Sequence, residues 1–137
     1  MTNCSIEIRS MSPDDIPALS VIVGRNYDKH CAEMFHAEAG CAFYQYPFKP
    51  RFLVAEHKGT IVACACWTND WCSWGVFNLS WVQVDPDFQG RGIGQAIVNA
   101  ALAELRPQAT IILLMTSKPD FYAKHWNFVV ATECSPT

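Results

Sequence analysis

The chain has 137 residues, half of them hydrophobic and 17% charged, which suits a single domain over residues 1–137 with a substantial core. The net charge is −3 and there is no run of Lys or Arg, so nucleic acid and anionic membranes are not expected as partners. The N-terminal residues lack an apolar signal core, and the longest apolar run, 61–67, is far shorter than the ~20 residues of a membrane helix. These features predict a soluble, cytoplasmic protein.

The first third of the chain predicts one strand and two helices. Residues 4–9 alternate apolar and polar side chains, as a half-buried strand does. The segment 12–15, Ser-Pro-Asp-Asp, is typical of a helix N-terminus, and the helix is expected to cover 13–23 and to stop at the glycine that follows. Residues 28–39 are predicted to be helical, and the aromatic, proline-bearing residues 42–50 to form a loop.

The rest of the chain alternates predicted strands and helices. Lys58 and Gly59 indicate a hairpin turn, and the apolar run 109–115 is expected to be a central strand covered on both faces. The order β-α-α-β-β-β-α-β-α-β predicts a mixed α/β sheet in which an antiparallel half meets a parallel pair. The predicted elements are strands 51–56, 60–67 and 76–84, helix 90–105, strand 109–115, helix 120–125 and strand 128–134.

The chain contains seven cysteines, an odd number, and no C-x-x-C motif. Cys64 and Cys66 are two residues apart in a predicted strand, so both point to one face. We expect them to be small buried thiols, as free cysteines commonly are. The alternative is a metal site formed by these two thiols and a histidine, although their spacing matches no common zinc pattern.

Three of the seven glycines, Gly90, Gly92 and Gly94, lie within five residues between a hydrophobic strand and an amphipathic helix. A helix N-terminus has unpaired backbone N–H groups and partial positive charge, and glycines let a ligand approach that backbone closely. The pattern predicts a phosphate or pyrophosphate site. It lacks the Gly-Lys-Ser/Thr of a P-loop and the third glycine or alanine of a dinucleotide fingerprint.

Residues 82–94, V-Q-V-D-P-D-F-Q-G-R-G-I-G, resemble the acetyl-CoA signature of the GNAT acetyltransferase superfamily. That signature is a strand, a proline-containing exit, and then Q/R-x-x-G-x-G/A opening a helix. Gln89, Gly92 and Gly94 meet its defining positions. The resemblance covers nearly the whole chain and implies the GNAT fold.

A second segment, 121–128, reads F-Y-A-K-H-W-N-F and is similar to the family's F-Y-x-K-x-G-F. Trp126 and Asn127 replace the usual glycine, with one extra residue. Ser117 stands near the place of an asparagine that often contacts CoA in the family.

The resemblance implies acetyl-CoA as cosubstrate and direct transfer to an amine without an acyl-enzyme. A backbone N–H near Val84 would stabilise the developing oxyanion, and Tyr122 matches the family's tyrosine that donates a proton to the leaving thiolate. The residues implied for cofactor binding are Val82, Val84, Gln89, Gly90, Arg91, Gly92, Ile93, Gly94, Ser117 and Tyr122.

The base for the acceptor amine is not identified by the sequence. Many family members place a glutamate on the fourth strand, where this chain has Asn78, which cannot act as a base. Ser80 is a candidate to hold a water chain. Trp67 and Trp74 fall where the family builds its acceptor pocket, and they could equally be core residues. The unplaced candidate bases are His30, His36, His57 and Asp70.

Three classes of function remain open from the sequence. The first is an N-acetyltransferase acting on the primary amine of a small molecule, amino acid or peptide. The second is a non-catalytic acyl-CoA-binding or sensing module of the same fold. The third, a thiol-rich redox or metal protein, leaves the glycine loop unexplained.

The end of the predicted fold bears on assembly. The family usually has a seventh strand, for which few residues remain after the predicted strand 128–134. That strand would present an apolar edge containing Val129 and Val130, and exposed edges recruit partners. The sequence therefore predicts a homodimer; the alternative is a short edge protected by Glu133 and Pro136.

Overall fold

The computed structural model describes residues 5–70 and 73–133. Within these residues a five-stranded sheet in the order β1-β2-β3-β4-β5 carries helices on both faces. Short 3-10 turns precede α1, follow α2 and follow β4. The main elements are β1 (Glu7–Ser10), α1 (Ile16–Asn26), α2 (Lys29–Gly40), β2 (Arg51–His57), β3 (Thr60–Asn69), β4 (Val76–Val84), α3 (Ile93–Leu105), β5 (Ile111–Leu113) and α4 (Pro119–Trp126).

The sheet is mixed, as predicted. The first four strands pair antiparallel in chain order, and β5 pairs parallel with β4 after the crossover through α3. A parallel pair needs such a crossover because its two strands begin at the same end of the sheet. The α/β architecture expected from the alternation of helical and strand periods is confirmed.

Two apolar cores lie on opposite faces of the sheet. On one face, Ile97, Val98 and Leu102 of α3 pack against strand residues such as Leu79. On the other face, α1 and α2 cover β2 and β3, and the ring of Phe35 is completely buried there. Burial of one such ring stabilises the fold by roughly 1.5–3 kcal/mol, so the two cores together fix both helical layers.

Two helix boundaries differ from the predicted ones, each because of a glycine. α1 continues through Gly24 to Asn26, and a Cβ at Gly24 would lie 3.4 Å from the Cβ of Ala32 on α2. Gly24 therefore permits close helix packing instead of ending the helix. α3 begins at Ile93 instead of residue 90, since Gly90 and Gly92 have φ of 76° and 79°.

The strand predicted over 109–115 forms only over 111–113, and its predicted central position is wrong. β5 has only three residues and lies at the edge of the sheet within the described residues. Ile112 packs against the α3 core, whereas Ile111 and Leu113 are 50% and 44% exposed. A continuous apolar run therefore does not show that one face of this strand is covered and the other is exposed.

The predicted strand 128–134 is also wrong over its described part. Residues 128–133 form no strand, and residue 134 lies outside the described residues. Phe128 packs against the core, but Val129 is 89% exposed. β-branched residues favour strands only where a neighbouring strand can pair with them. The homodimer stays a prediction, and its expected edge strand is absent from the described residues.

The pair of strand cysteines is buried as predicted: Cys64 is fully buried and Cys66 nearly so, both under the α1–α2 layer. Burial raises the pKa of the Cys66 thiol to about 12 and that of Cys64 further. Cys31 and Cys41 are half-buried. The described residues contain no group of three or more His, Cys, Asp or Glu side chains arranged as metal ligands.

At pH 8 we expect iodoacetamide to modify Cys41 in the native protein, Cys31 more slowly because its hydrogen bond with Asp28 raises its pKa, and Cys64 and Cys66 only after unfolding, as followed by peptide mass spectrometry. Because the folded state raises both buried pKa values above the ordinary ~8.5, their contribution to the free energy of unfolding is lost as pH rises above that value. Modification of Cys64 at a rate insensitive to denaturant would contradict this assignment.

No helix among the described residues is long and apolar enough to cross a membrane.

Candidate active site

A gap opens between β4 and β5. The two strands pair only over Val76–Asn78 and Ile111–Leu113, whereas β4 remains paired with β3 as far as Val84. Among the described residues, β4 therefore has an unpaired edge over 79–84. Backbone groups on such an edge can bind an extended ligand as an additional strand would be bound.

The orientation of Val84 follows from the ladder. The N–H of Asp85 donates to the carbonyl of Val62 on β3 at 2.8 Å. Successive residues of a strand direct their backbone groups to opposite sides, so the N–H and C=O of Val84 point away from β3 into the gap. The same alternation places those of Val82 on this side.

β4 contains a bulge that sequence analysis missed. Cys64 and Cys66 are two residues apart on β3. Their partners on β4, Gln83 and Ser80, are three residues apart. The extra residue is accommodated at Trp81, which has a φ of 45°. A non-glycine residue in this region is strained, and bulges of this kind bend a strand and redirect its amides. No glycine marks the position in the sequence.

The glycine loop lies against the end of β4. A Cβ at Gly94 would be 3.5 Å from Cγ2 of Val84, so the N-terminus of α3 sits directly beside the strand exit. A Cβ at Gly90 or Gly92 would instead meet no neighbouring atom within 4 Å. Open space in front of a helix N-terminus with unpaired N–H groups is the arrangement that a phosphate group fits.

Polar side chains join the glycine loop to the C-terminal end of β4. Asn26, at the end of α1, donates to the Val84 carbonyl at 3.0 Å, and Gln89 donates to the same oxygen at 3.2 Å. Arg25 pairs with Asp85 at 2.8 Å and with Asp87 at 3.1 Å. The Gln89 side chain thus positions the loop, and the Val84 carbonyl is occupied while its N–H faces the gap. No motif in the sequence indicates that Arg25 and Asn26 of α1 hold this loop.

Arg91 supplies a cation at the loop. Its guanidinium lies 4.8 Å from the centroid of the Phe88 ring and donates to the Asp87 carbonyl at 3.1 Å. The side chain is exposed, so it is available to an anionic group on Gly90 and Gly92.

Tyr122 approaches the site from α4. The ring of its neighbour Phe121 lies 4.0 Å from the Cβ position of Gly94, which brings the start of α4 to the start of α3. Tyr122 is only 8% exposed, and burial, followed by the influence of Tyr27, raises its pKa to about 12. Its hydroxyl is therefore protonated throughout the physiological range and can donate a hydrogen bond.

The departure from the family's F-Y-x-K-x-G-F segment has a structural explanation. Asn127 adopts a φ of 59° as the C-cap of α4, the left-handed conformation usually taken by glycine. The indole N–H of Trp126 donates to Asn99 of α3 at 2.7 Å, which ties the two helices together. The Trp-Asn pair thus holds α4 in place.

The predicted acceptor residues are not all brought together. Asn78 and Ser80 lie on the α2 face of β4, since the alternating Phe77 and Leu79 pack in the α3 core. Trp67 is buried in that same α3 core, and Trp74 is 88% exposed in the turn before β4. The structure places neither tryptophan beside Ser80.

The remaining candidates are scattered. Ser117 is exposed in the connection between β5 and α4. His36 Nδ1 lies 3.5 Å from the Ser20 hydroxyl on α1, and the His57 ring lies 5.5 Å from that of Phe88. His30 is exposed near the start of α2, and Asp70 follows the end of β3.

Comparisons with known proteins agree with this geometry. Residues 49–125, more than half of the chain, match the model of the acetyltransferase (GNAT) domain family. The chain is 28% identical over 127 residues to an amino-acid acetyltransferase of Mycobacterium tuberculosis, covering 90% of this chain and 68% of that protein.

Two solved structures show the same fold. A Mycobacterium tuberculosis protein in complex with CoA aligns with a TM-score of 0.67 and 27% identity, covering 87% of this chain and 69% of that chain. A GNAT family acetyltransferase from Brucella melitensis in complex with acetyl-CoA aligns with a TM-score of 0.65 and 22% identity, covering 86% and 82%. With its open glycine loop beside a splayed fourth strand, this chain belongs to the GNAT acetyltransferase family.

Proposed function

We propose that this protein transfers an acetyl group from acetyl-CoA to a primary amine by direct attack. The observation that supports it most is the juxtaposition of the open glycine loop with the unpaired edge of β4, where the Val84 N–H faces the gap. Acetyl-CoA as the donor agrees with the family and with the two related structures that hold CoA or acetyl-CoA.

Different residues would contact the pyrophosphate, the pantetheine arm and the thioester of acetyl-CoA. Gly90, Gly92 and the first turn of α3 would hold the pyrophosphate, with Arg91 adding a positive charge. Val82 and Val84 would pair with the pantetheine arm, and the Val84 N–H would stabilise the oxyanion of the thioester carbonyl.

Tyr122 would act on the leaving group as a hydrogen-bond donor. Its pKa of about 12 is well above the ~8.5 of a thiol, so complete proton transfer to the thiolate is unfavourable. A protonated hydroxyl near the developing thiolate still stabilises that charge.

The acceptor class is proposed from the site and from one relative. Ser80 lies on the unpaired edge of β4, and Asn78 lies on the same α2 face at the end of the β4–β5 pairing; both side chains can hydrogen-bond a polar acceptor. The 28% identical relative is named an amino-acid acetyltransferase, which makes amino acids the first acceptors to test.

A sensing module that binds acyl-CoA without turnover is the second candidate. The observation that favours it is Asn78, which stands where many family members have a glutamate and cannot accept a proton from an amine.

The release of free thiol from acetyl-CoA distinguishes the two functions. We expect acceptor-dependent release with at least one member of a panel of glutamate, glutamine, arginine, lysine, spermidine and a lysine-containing peptide. Release in the absence of acceptor is the control. Acetyl-CoA binding without thiol release for any amine would favour the sensing module.

A further inference from the structure

A carboxylate on α2 reaches the bulge of β4. The indole N–H of Trp81 donates to Oε2 of Glu38 at 2.5 Å, although the two residues are 43 positions apart. The Trp81 ring is itself held edge-to-face against the buried Phe35, with centroids 5.2 Å apart. The carboxylate is thus held against a fixed residue of the active-site strand.

Glu38 lies at the part of β4 that is unpaired. Trp81 belongs to the edge 79–84, and Cys66 pairs with Ser80 across the ladder from it. Burial chiefly raises the pKa of the Cys66 thiol, a hydrogen bond with Ser80 opposes the shift, and the charge of Glu38 adds to it. Glu38 therefore sits over the Ser80–Trp81 segment on the face opposite α3, where Asn78 also lies.

The second carboxylate oxygen of Glu38 is available. Oε1 makes no hydrogen bond and no ion pair with any of the described residues, and the side chain is exposed. Several other ionisable side chains on α1 and α2 have partners of their own. Arg25 pairs with Asp85 and Asp87, and His36 faces Ser20. The thiol of Cys41, in the turn after α2, donates to the Ala37 carbonyl at 3.5 Å.

From this geometry we infer that Glu38 is the general base that receives the proton of the acceptor ammonium. The inference rests on the proposed function, and it supplies the carboxylate that Asn78 lacks. The Glu38 carboxylate takes one proton from the ammonium, and the nitrogen lone pair that this frees forms the bond to the acetyl carbon. The nitrogen then loses its second proton to solvent, which leaves the neutral amide. The carbon–sulfur bond breaks with its electron pair on sulfur, and CoA leaves as a thiolate hydrogen-bonded by Tyr122 and later protonated by solvent.

The need for such a base is quantitative. An alkylamine with a pKa of ~10.4 is unprotonated in only about one molecule in 2,500 at pH 7. A positioned carboxylate beside the gap lets the abundant ammonium form bind and then lose its proton there. General bases of this kind typically contribute ~10²–10⁴-fold to rate.

Glu38→Gln is the test, with every panel acceptor that the wild-type protein turns over. The amide oxygen still accepts from the Trp81 indole, so the fold is retained while the base is removed. We expect kcat/KM at pH 7 to fall roughly a hundredfold. The difference in kcat/KM between the wild type and Glu38→Gln should shrink as pH approaches the acceptor's pKa, because more of the acceptor in solution is then already the free amine. The acetyl-CoA thermal shift should be unchanged.

Glu33→Gln is the matched control. Glu33 is exposed on the same helix and lies 3.9 Å from Lys29, remote from Trp81 in the contacts that it makes. This variant should retain wild-type kcat/KM at every pH. It removes the same charge from α2 and thereby separates a local role of Glu38 from a general electrostatic effect of the helix.

A failure of the base assignment can be distinguished from a failure of the proposed function. Full kcat/KM in Glu38→Gln would overturn the base assignment and leave the proposed function intact. A loss that is equal at every pH, or that comes with a lost acetyl-CoA shift, would make Glu38 a structural residue and overturn the inference. If wild-type protein releases no thiol with any panel amine, both the proposed function and this inference fail.

Discussion

Gly92→Val is expected to abolish the thermal stabilisation of the protein by acetyl-CoA. A ligand that binds only the folded state at 100 times its Kd stabilises it by about 2.7 kcal/mol, which raises the melting temperature by several degrees. The space in front of Gly92 is open, and a branched side chain there would occupy the position proposed for the pyrophosphate. The backbone could then no longer approach the ligand.

The substitution also strains the backbone, since Gly92 has a φ of 79°. Gly59→Val provides the matched control. Gly59 has a φ of 80° in the β2–β3 hairpin, and a Cβ there also meets nothing within 4 Å. Both variants should lose similar stability without ligand, but only Gly92→Val should lose the acetyl-CoA shift. An unchanged shift in folded Gly92→Val would place the pyrophosphate elsewhere.

Tyr122→Phe is expected to lower kcat by roughly ten- to a thousandfold while the Kd for acetyl-CoA stays near that of wild type, if the hydroxyl acts mainly in the transition state. The aromatic ring, which contacts Trp126 and Phe128, is preserved, so packing in α4 should change little. With a pKa of about 12, Tyr122 should add no alkaline limb to the activity profile below about pH 11.

Tyr44→Phe is the control for removing a tyrosine hydroxyl. Tyr44 is exposed in the loop after α2, and its ring contacts Tyr46, away from α4. Its substitution should leave kcat unchanged. If Tyr122→Phe is equally active, the role of Tyr122 is to pack α4, and another group must stabilise the thiolate.

The parts of the fold that sequence reasoning predicted are those governed by local rules. The glycine loop could be predicted because Gly90 and Gly92 adopt left-handed conformations that other residues rarely tolerate. The helical period of the apolar residues predicted α3, although the helix begins at Ile93 instead of residue 90. These signals lie within one element or one turn, so no knowledge of the tertiary fold was required.

The features that could not be predicted depend on distant residues. The apolar run 109–115 does not reveal that one face of β5 is uncovered, and Val129 and Val130 resemble strand residues although no neighbour pairs with 128–133. The residue type at position 81 does not indicate a bulge, because the bulge depends on how β4 pairs with β3. Glu38 joins the site only through a contact across 43 residues.

Mass spectrometry after incubation with isotope-labelled acetyl-CoA distinguishes direct acetyl transfer to an amine from binding without transfer. Direct transfer predicts the label in an amide of the acceptor, with thiol released in equal amount and no label on the protein. Gly92→Val should give neither product. Label that remains in acetyl-CoA for every amine, or that accumulates on a cysteine of the protein, would contradict direct acetyl transfer at this site.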